Sequence, residues 1–290
     1  MKTVLAIIMF FSAIGVSAQN KKPDPKFHIY LCFGQSNMEA GARPDEQDKG
    51  DVDKRFLMLA AVDMPKLNRT MGNWYLAMPP LNRGENNMGP VDFFGRTMVA
   101  NMPAKYRVGV INVSVAGAKI ELWGNDTYKT YLDSAATWMQ NICKNYDGNP
   151  YKRLVDMAKI AQKDGVIKGI IIHQGESNTN DKEWCNKVKT IYDNLISDLK
   201  LNPKKVPFLA GELKSAEEGG QCASFNTDIL VNLPKILPNS YIISSKGCKG
   251  IKDGFHFNTE GFRELGKRYA IQMLDIQGFK YKETTGFIGR

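Results

Sequence analysis

A hydroxyl becomes a useful nucleophile when an imidazole takes its proton and a third group fixes the imidazole tautomer. This 290-residue chain offers such a set near its two ends. Ser36 stands inside Gly34-Gln35-Ser36-Asn37-Met38, and His256 follows Asp253 by three positions inside Asp253-Gly254-Phe255-His256. That spacing lets the carboxylate fold back on the imidazole Nδ1 while Nε2 points outward. The chain has 3 histidines in all, so the choice of base is narrow. His28 opens an apolar run, the wrong end of a strand for a site. His173 closes another apolar run and is read as a structural histidine bracing the loop that follows. Each motif alone has an ordinary structural reading, because serines at strand ends serve as turn residues and Asp-x-x-His occurs in helix-capping loops. The elbow G-x-S-x-G is absent, with Met38 at its last position, which weighs against an α/β-hydrolase.

The elements that must position these groups are written in the hydropathy pattern. Phe27 to Phe33 and Arg107 to Val115 are apolar or β-branched runs that end in Gly34 and in Ala116-Gly117. Val166 to Ile172 is a third such run, leading into His173-Gln174-Gly175-Glu176. Runs of this kind are buried strands. Val206 to Ala210 and Tyr241 to Ser244 complete five strands. Tyr151 to Lys163, Trp184 to Leu199 and Thr259 to Ile276 carry helical spacing, the last with Thr259 as the expected N-cap. Strands alternating with helices predict a three-layer α/β/α sandwich on a mainly parallel five-stranded sheet. Ligands bind such folds at the C-terminal strand ends, where Ser36, Gly117 and the Gln174 to Glu176 block all fall. Glu39 to Asn101 shows no clear period and is expected to form elaborated loops walling the site.

Together, Phe33-Gly34-Gln35-Ser36-Asn37-Met38, His173-Gln174-Gly175-Glu176-Ser177-Asn178 and Asp253-Gly254-Phe255-His256-Phe257 resemble the signature blocks of the SGNH hydrolases. Within that superfamily they look like the sialate O-acetylesterase and acetylxylan esterase branch, especially the sixth carbohydrate esterase family. The resemblance runs from the first strand to the last helix, and the chain's length is closer to the compact acetylxylan esterases. It implies a flavodoxin-like fold, Ser36 as nucleophile and the Asp253/His256 pair as its activator. It also implies an oxyanion hole made by the Ser36 and Gly117 N–H groups and a side-chain amide. The superfamily's usual asparagine at that last place is replaced by Gln174, as in the branch with His-Gln-Gly-Glu. The third triad role falls to Asp253 or to Glu176. Nearness in sequence favours Asp253, and Glu176 has a competing reading as a buried structural carboxylate. Gln35 and Asn37 would order the nucleophile loop or touch substrate. Trp123 is the candidate for a sugar subsite, although a tryptophan is more often core, as for Trp74, Tyr75 and Trp184.

The first residues predict export: Lys2, the apolar run Val4 to Phe11 and the small residues Val16-Ser17-Ala18 form a signal peptide over residues 1–18. The remaining 19–290, roughly 270 residues, suit one domain with no linker or repeat to divide it. No later segment is apolar enough to span a membrane. A secreted or periplasmic location follows, with acetylated hemicellulose as the first substrate and O-acetylated sialic acid as the second. The net charge of +9 is spread along the chain, so nucleic acid is not an expected partner. No C-x-x-C pair occurs among Cys32, Cys143, Cys185, Cys222 and Cys248, and neither a metal nor a cofactor is expected. In an oxidising compartment the last four cysteines would form up to two disulfides, and Cys32 reads as a small buried hydrophobe. The rivals from other classes are a carbohydrate-binding protein on the same fold, a lipase and a metal-dependent deacetylase.

Overall fold

The protein is described here by a computed structural model covering residues 22–281 except 40, 49, 85 and 86. The predicted signal peptide lies outside the described residues. In chain order the elements are β1 (Phe27–Gly34), α1 (Ser36–Glu39), β2 (Phe56–Leu59), β3 (Trp74–Leu76), α2 (Pro90–Asn101), β4 (Arg107–Ser114), α3 (Tyr128–Asp133), α4 (Thr137–Lys144), α5 (Pro150–Ala161), β5 (Val166–His173), α6 (Trp184–Asp198), β6 (Phe208–Gly211), α7 (Ser224–Asp228), α8 (Leu233–Ile236), β7 (Ser240–Ile243) and α9 (Thr259–Ile276), joined by short 3-10 turns.

All seven strands belong to one sheet, in the order β3-β2-β4-β1-β5-β6-β7. Every pair is parallel except β2 with β3. The wholly apolar character of β1 has a direct cause. It is hydrogen-bonded on both edges and covered on both faces, and all eight of its residues are buried. Tyr30 faces one layer, where its ring meets Phe94 of α2 at 5.0 Å and its hydroxyl donates to Gln277, just past α9, at 3.0 Å. Phe33 faces the other, against Trp123 at 5.0 Å and Phe208 at 6.3 Å, and Phe208 in turn meets Tyr192 of α6. Helices α2 and α9 pack together on the first face. On the second, Gln162 after α5 donates to the Leu199 carbonyl after α6 at 2.9 Å.

Seven strands replace the five expected, and the difference comes from Glu39 to Asn101. That stretch, in which only loops are legible from the sequence, also contains β2, β3 and α2. Both extra strands are too short to show a period, at four and three residues. The helix was obscured by Gly95 in its middle, a residue that disfavours helices. Packing requires that glycine, since a Cβ there would stand 1.9 Å from the Phe56 ring. The cap of α9 is also one residue earlier than expected: Asn258 accepts from the Gly261 N–H at 2.9 Å, and Thr259 instead donates to the Arg43 carbonyl at 2.8 Å.

The expected disulfides are not formed. All five thiols are buried and unpaired. They sit on separate elements with separate neighbours: Cys185 Sγ donates to the Ile229 carbonyl at 3.3 Å and Cys222 Sγ to the Glu176 carbonyl at 3.7 Å. Burial raises the thiol pKa of Cys185 to about 11 and of Cys143 and Cys248 to about 12. Among the described residues no helix is long and apolar enough to cross a membrane.

The register of β1 sets the site. Gly34 is level with Ser114 of β4 and with His173 of β5, so three strand ends finish together where the connections part to either side. A Cβ on Gly34 would lie 2.2 Å from the His173 carbonyl oxygen, at a φ of +150°. Gly34→Ala is therefore expected to separate β1 from β5 and cost about 1–3 kcal/mol. Thermal unfolding should show the midpoint lowered by about 2–4 °C per kcal/mol lost.

Candidate active site

Ser36 is the first residue of the short helix after β1 and is half-buried at the strand's end. Its Oγ is 2.8 Å from His256 Nε2, although the two residues are 220 positions apart. On the far side of the ring, His256 Nδ1 is 2.5 Å from Asp253 Oδ2. The other carboxylate oxygen, Oδ1, accepts from the Phe255 and His256 backbone N–H groups at 2.8 and 2.9 Å. Partial burial pushes the Asp253 pKa up, but those two N–H donors and the imidazole outweigh it and hold it down at about 2. A carboxylate kept ionised in this way fixes the proton on Nδ1 and leaves the Nε2 lone pair facing the serine.

Glu176 makes no hydrogen bond to His256. Its Oε1 accepts from Asn37 Nδ2 at 2.6 Å, while Oε2 is buried without a partner among the described residues. Complete burial raises its pKa. His173 lies beside it, with Nε2 3.9 Å from Glu176 Oε1. Burial lowers the His173 pKa to about 3, so the ring is neutral and the contact is not an ion pair. Tyr269 Oη lies 3.4 Å from His173 Nδ1 and donates to the Ile172 carbonyl at 2.7 Å. His173 is fully buried, and its Nε2 has no hydrogen-bond partner among the described residues.

Gln35 and Asn37 hold the loops together. Gln35 Oε1 accepts from Gln174 Nε2 at 3.1 Å and from the Gly175 N–H at 3.3 Å. Asn37 grips the histidine loop on both sides of His256, donating to the Phe255 carbonyl at 3.0 Å and accepting from the Phe257 N–H at 3.2 Å. At 3 % and 0 % exposure, neither side chain is open to a substrate.

Two further expectations are corrected. The Gln174 amide was the expected third oxyanion donor, but it is buried and its N–H groups face Asn178 Oδ1 at 2.6 Å, Gln35 Oε1 at 3.1 Å and the Ala118 carbonyl at 3.2 Å. Its carbonyl takes the Trp184 indole N–H at 2.5 Å. With both amide hydrogens committed, Gln174 braces the loop instead of facing a reacting group. Trp123, the expected sugar platform, is 0 % exposed and packs under Phe33.

Gly117 lies in the turn that follows β4. Its φ is +65°, and its carbonyl accepts from Ser177 Oγ at 2.8 Å. Among the described residues neither the Ser36 nor the Gly117 backbone N–H donates a hydrogen bond, so both remain available to a developing negative charge. The residues that hold this turn, Glu39 and Arg83, escaped the sequence reading. Glu39, 3 % exposed, accepts from the Ala116 N–H at 2.9 Å and is paired with the Arg83 guanidinium, whose Nε is 2.8 Å away. The available signal was a carboxylate three residues after Ser36 in an apolar stretch, where it needs a buried partner. No group of three or more His, Cys, Asp or Glu among the described residues could hold a metal ion.

The family model described as "Carbohydrate esterase, sialic acid-specific acetylesterase" matches residues 26–275. Among solved structures, a protein from Arabidopsis thaliana is 21% identical, with a TM-score of 0.63, over 87% of this chain and 99% of its own. NanS is 15% identical, with a TM-score of 0.63, over 89% and 99%. A carbohydrate acetylesterase from Xanthomonas citri is 16% identical, with a TM-score of 0.57, over 86% of this chain and 56% of its own. These likenesses establish the fold.

Two outcomes follow from the site's electrostatics. The Asp253 pKa is depressed from 3.8 to about 2, so the stability it contributes is fully present above about pH 4 and is lost as pH falls through about 2. Melting curves should show wild type and Asp253→Asn converging over that window. Arg83→Ala removes the guanidinium from the buried Glu39 carboxylate and should cost about 3–5 kcal/mol in denaturant unfolding.

Proposed function

The chain belongs to the carbohydrate esterase family of sialic acid-specific acetylesterases, and we propose that it removes O-acetyl groups from carbohydrate through an acyl-enzyme, with hemicellulose, acetylxylan first, as its substrate. The observation that carries this reading is the line from Ser36 Oγ to His256 Nε2 at 2.8 Å and from Nδ1 to Asp253 at 2.5 Å, set at the C-terminal end of β1. His256 takes the Ser36 proton as Oγ attacks the acetyl carbonyl. The oxyanion forms against the Ser36 and Gly117 N–H groups. His256 then protonates the departing sugar oxygen, leaving acetyl-Ser36, and finally draws a proton from the water that releases acetate. No cofactor enters these steps. Asp253 orients the base, and Glu176 acts through Asn37, holding the loop that carries the base.

Export supports a polysaccharide outside the cell: Lys2, the apolar run to Phe11 and Val16-Ser17-Ala18 form the leader that would carry the enzyme there. A second reading, O-acetylated sialic acid as substrate, is favoured by the wording of the family that matches residues 26–275. Acetate release from acetylxylan and from O-acetyl sialosides, measured side by side, separates the two.

Ser36→Ala should lower acetate release by about 10⁶-fold, the scale seen when a triad nucleophile is removed. A fluorophosphonate should label Ser36 in the wild-type protein and leave the variant unlabelled. Full activity in the variant, or an adduct on another residue, would reject this mechanism.

A further inference from the structure

With Trp123 in the core, the site has no assigned surface for a sugar ring. Trp138, the second residue of α4, is 51 % exposed, more than any other large apolar side chain among the described residues. An indole half in water forfeits much of the apolar area it could bury. Its position is specific: a Cβ on Gly117 would stand 2.8 Å from Trp138 Cη2. The absence of a side chain at Gly117 therefore lets the ring edge reach the turn whose N–H donates no hydrogen bond among the described residues. Phe255, 36 % exposed, precedes His256, and its carbonyl is held by Asn37 at 3.0 Å. One exposed ring thus stands at the oxyanion turn and another beside the base, around a serine at the end of a rigid buried strand.

We propose that Trp138 is the platform on which the pyranose ring bearing the acetyl group stacks, with Phe255 bounding the site beside His256. The apolar C–H face of a pyranose matches the indole face, and stacking there fixes which ring carbon's O-acetyl group reaches Ser36. This rests on the reading of the protein as a carbohydrate esterase, and the substrate class it adds is a cyclic sugar presented face-on.

The test compares wild type, Trp138→Ala and Trp138→Phe on acetylated xylo-oligosaccharide, on an O-acetyl sialoside and on vinyl acetate, an ester without a ring. Acrylamide quenching of tryptophan fluorescence is followed in parallel as each saccharide is added to Ser36→Ala protein. For Trp138→Ala, kcat/KM on the preferred saccharide should fall about tenfold further than on vinyl acetate, mainly through KM, the scale of burying one apolar ring face. Trp138→Phe should recover most of that loss, and saccharide should shield the indole from acrylamide. Equal losses on ring and ringless esters would mean that the indole only props the Gly117 turn. That result, no loss on either ester, or no shielding by either saccharide would overturn the proposal. If wild type cleaved none of the esters, the esterase reading would fail, while shielding would still decide whether Trp138 binds sugar.

Discussion

One buried side chain, the amide of Asn37, joins three parts of the chain on which the site depends. It donates to Glu176, 139 residues away, and to the Phe255 carbonyl, 218 away, and it accepts from the Phe257 N–H, 220 away. Loops that distant have no local reason to hold a fixed geometry, and ordering them costs conformational entropy. Asn37 is itself fixed, because it follows Ser36 in the first turn after a strand buried on both faces. The rigidity of β1 is thereby transmitted to the histidine loop, and the 2.8 Å approach of Ser36 to His256 results.

The two acidic groups near His256 show how environment sets a carboxyl group's charge. Asp253 gathers two backbone N–H donors and an imidazole, which stabilise its charge. Glu176 is enclosed, with an amide donor on Oε1 and, among the described residues, none on Oε2, so desolvation dominates and raises its pKa. Environments that push two carboxyl pKa values apart give them different work. Proximity in sequence pointed to Asp253 as the partner of His256, and the hydrogen-bond inventory supplies the physical reason.

A second layer of polar contacts supports the Gly117 turn. Glu39, itself held by Arg83, accepts from the Ala116 N–H on one side, and Ser177 donates to the Gly117 carbonyl on the other. Gln174 joins Gln35, Asn178, Ala118 and Trp184 beneath the loop. Buried networks of this kind are stabilising only when their members are satisfied. Two buried atoms without a partner among the described residues, His173 Nε2 and Glu176 Oε2, stand out against that background, and His173 Nε2 lies 3.9 Å from the other Glu176 oxygen, Oε1.

The amino-acid order alone revealed whatever depends on neighbours in sequence. Strands β1, β4 and β5 are long apolar runs because each is buried on both faces, and α5, α6 and α9 carry a 3.6-residue period because each has one buried side. The strand-end location of Ser36 and the three-residue link between Asp253 and His256 were legible for the same reason. Strands β2 and β3 were not, being shorter than any period, and the glycine that hid α2 answers to Phe56, 39 positions earlier in the chain. Nor did residue type distinguish the buried Trp123 from the exposed Trp138, or show that the Gln174 amide was already engaged. Burial and hydrogen-bond partners are set by segments far apart in the chain, so those assignments existed only once the sheet had brought the segments together.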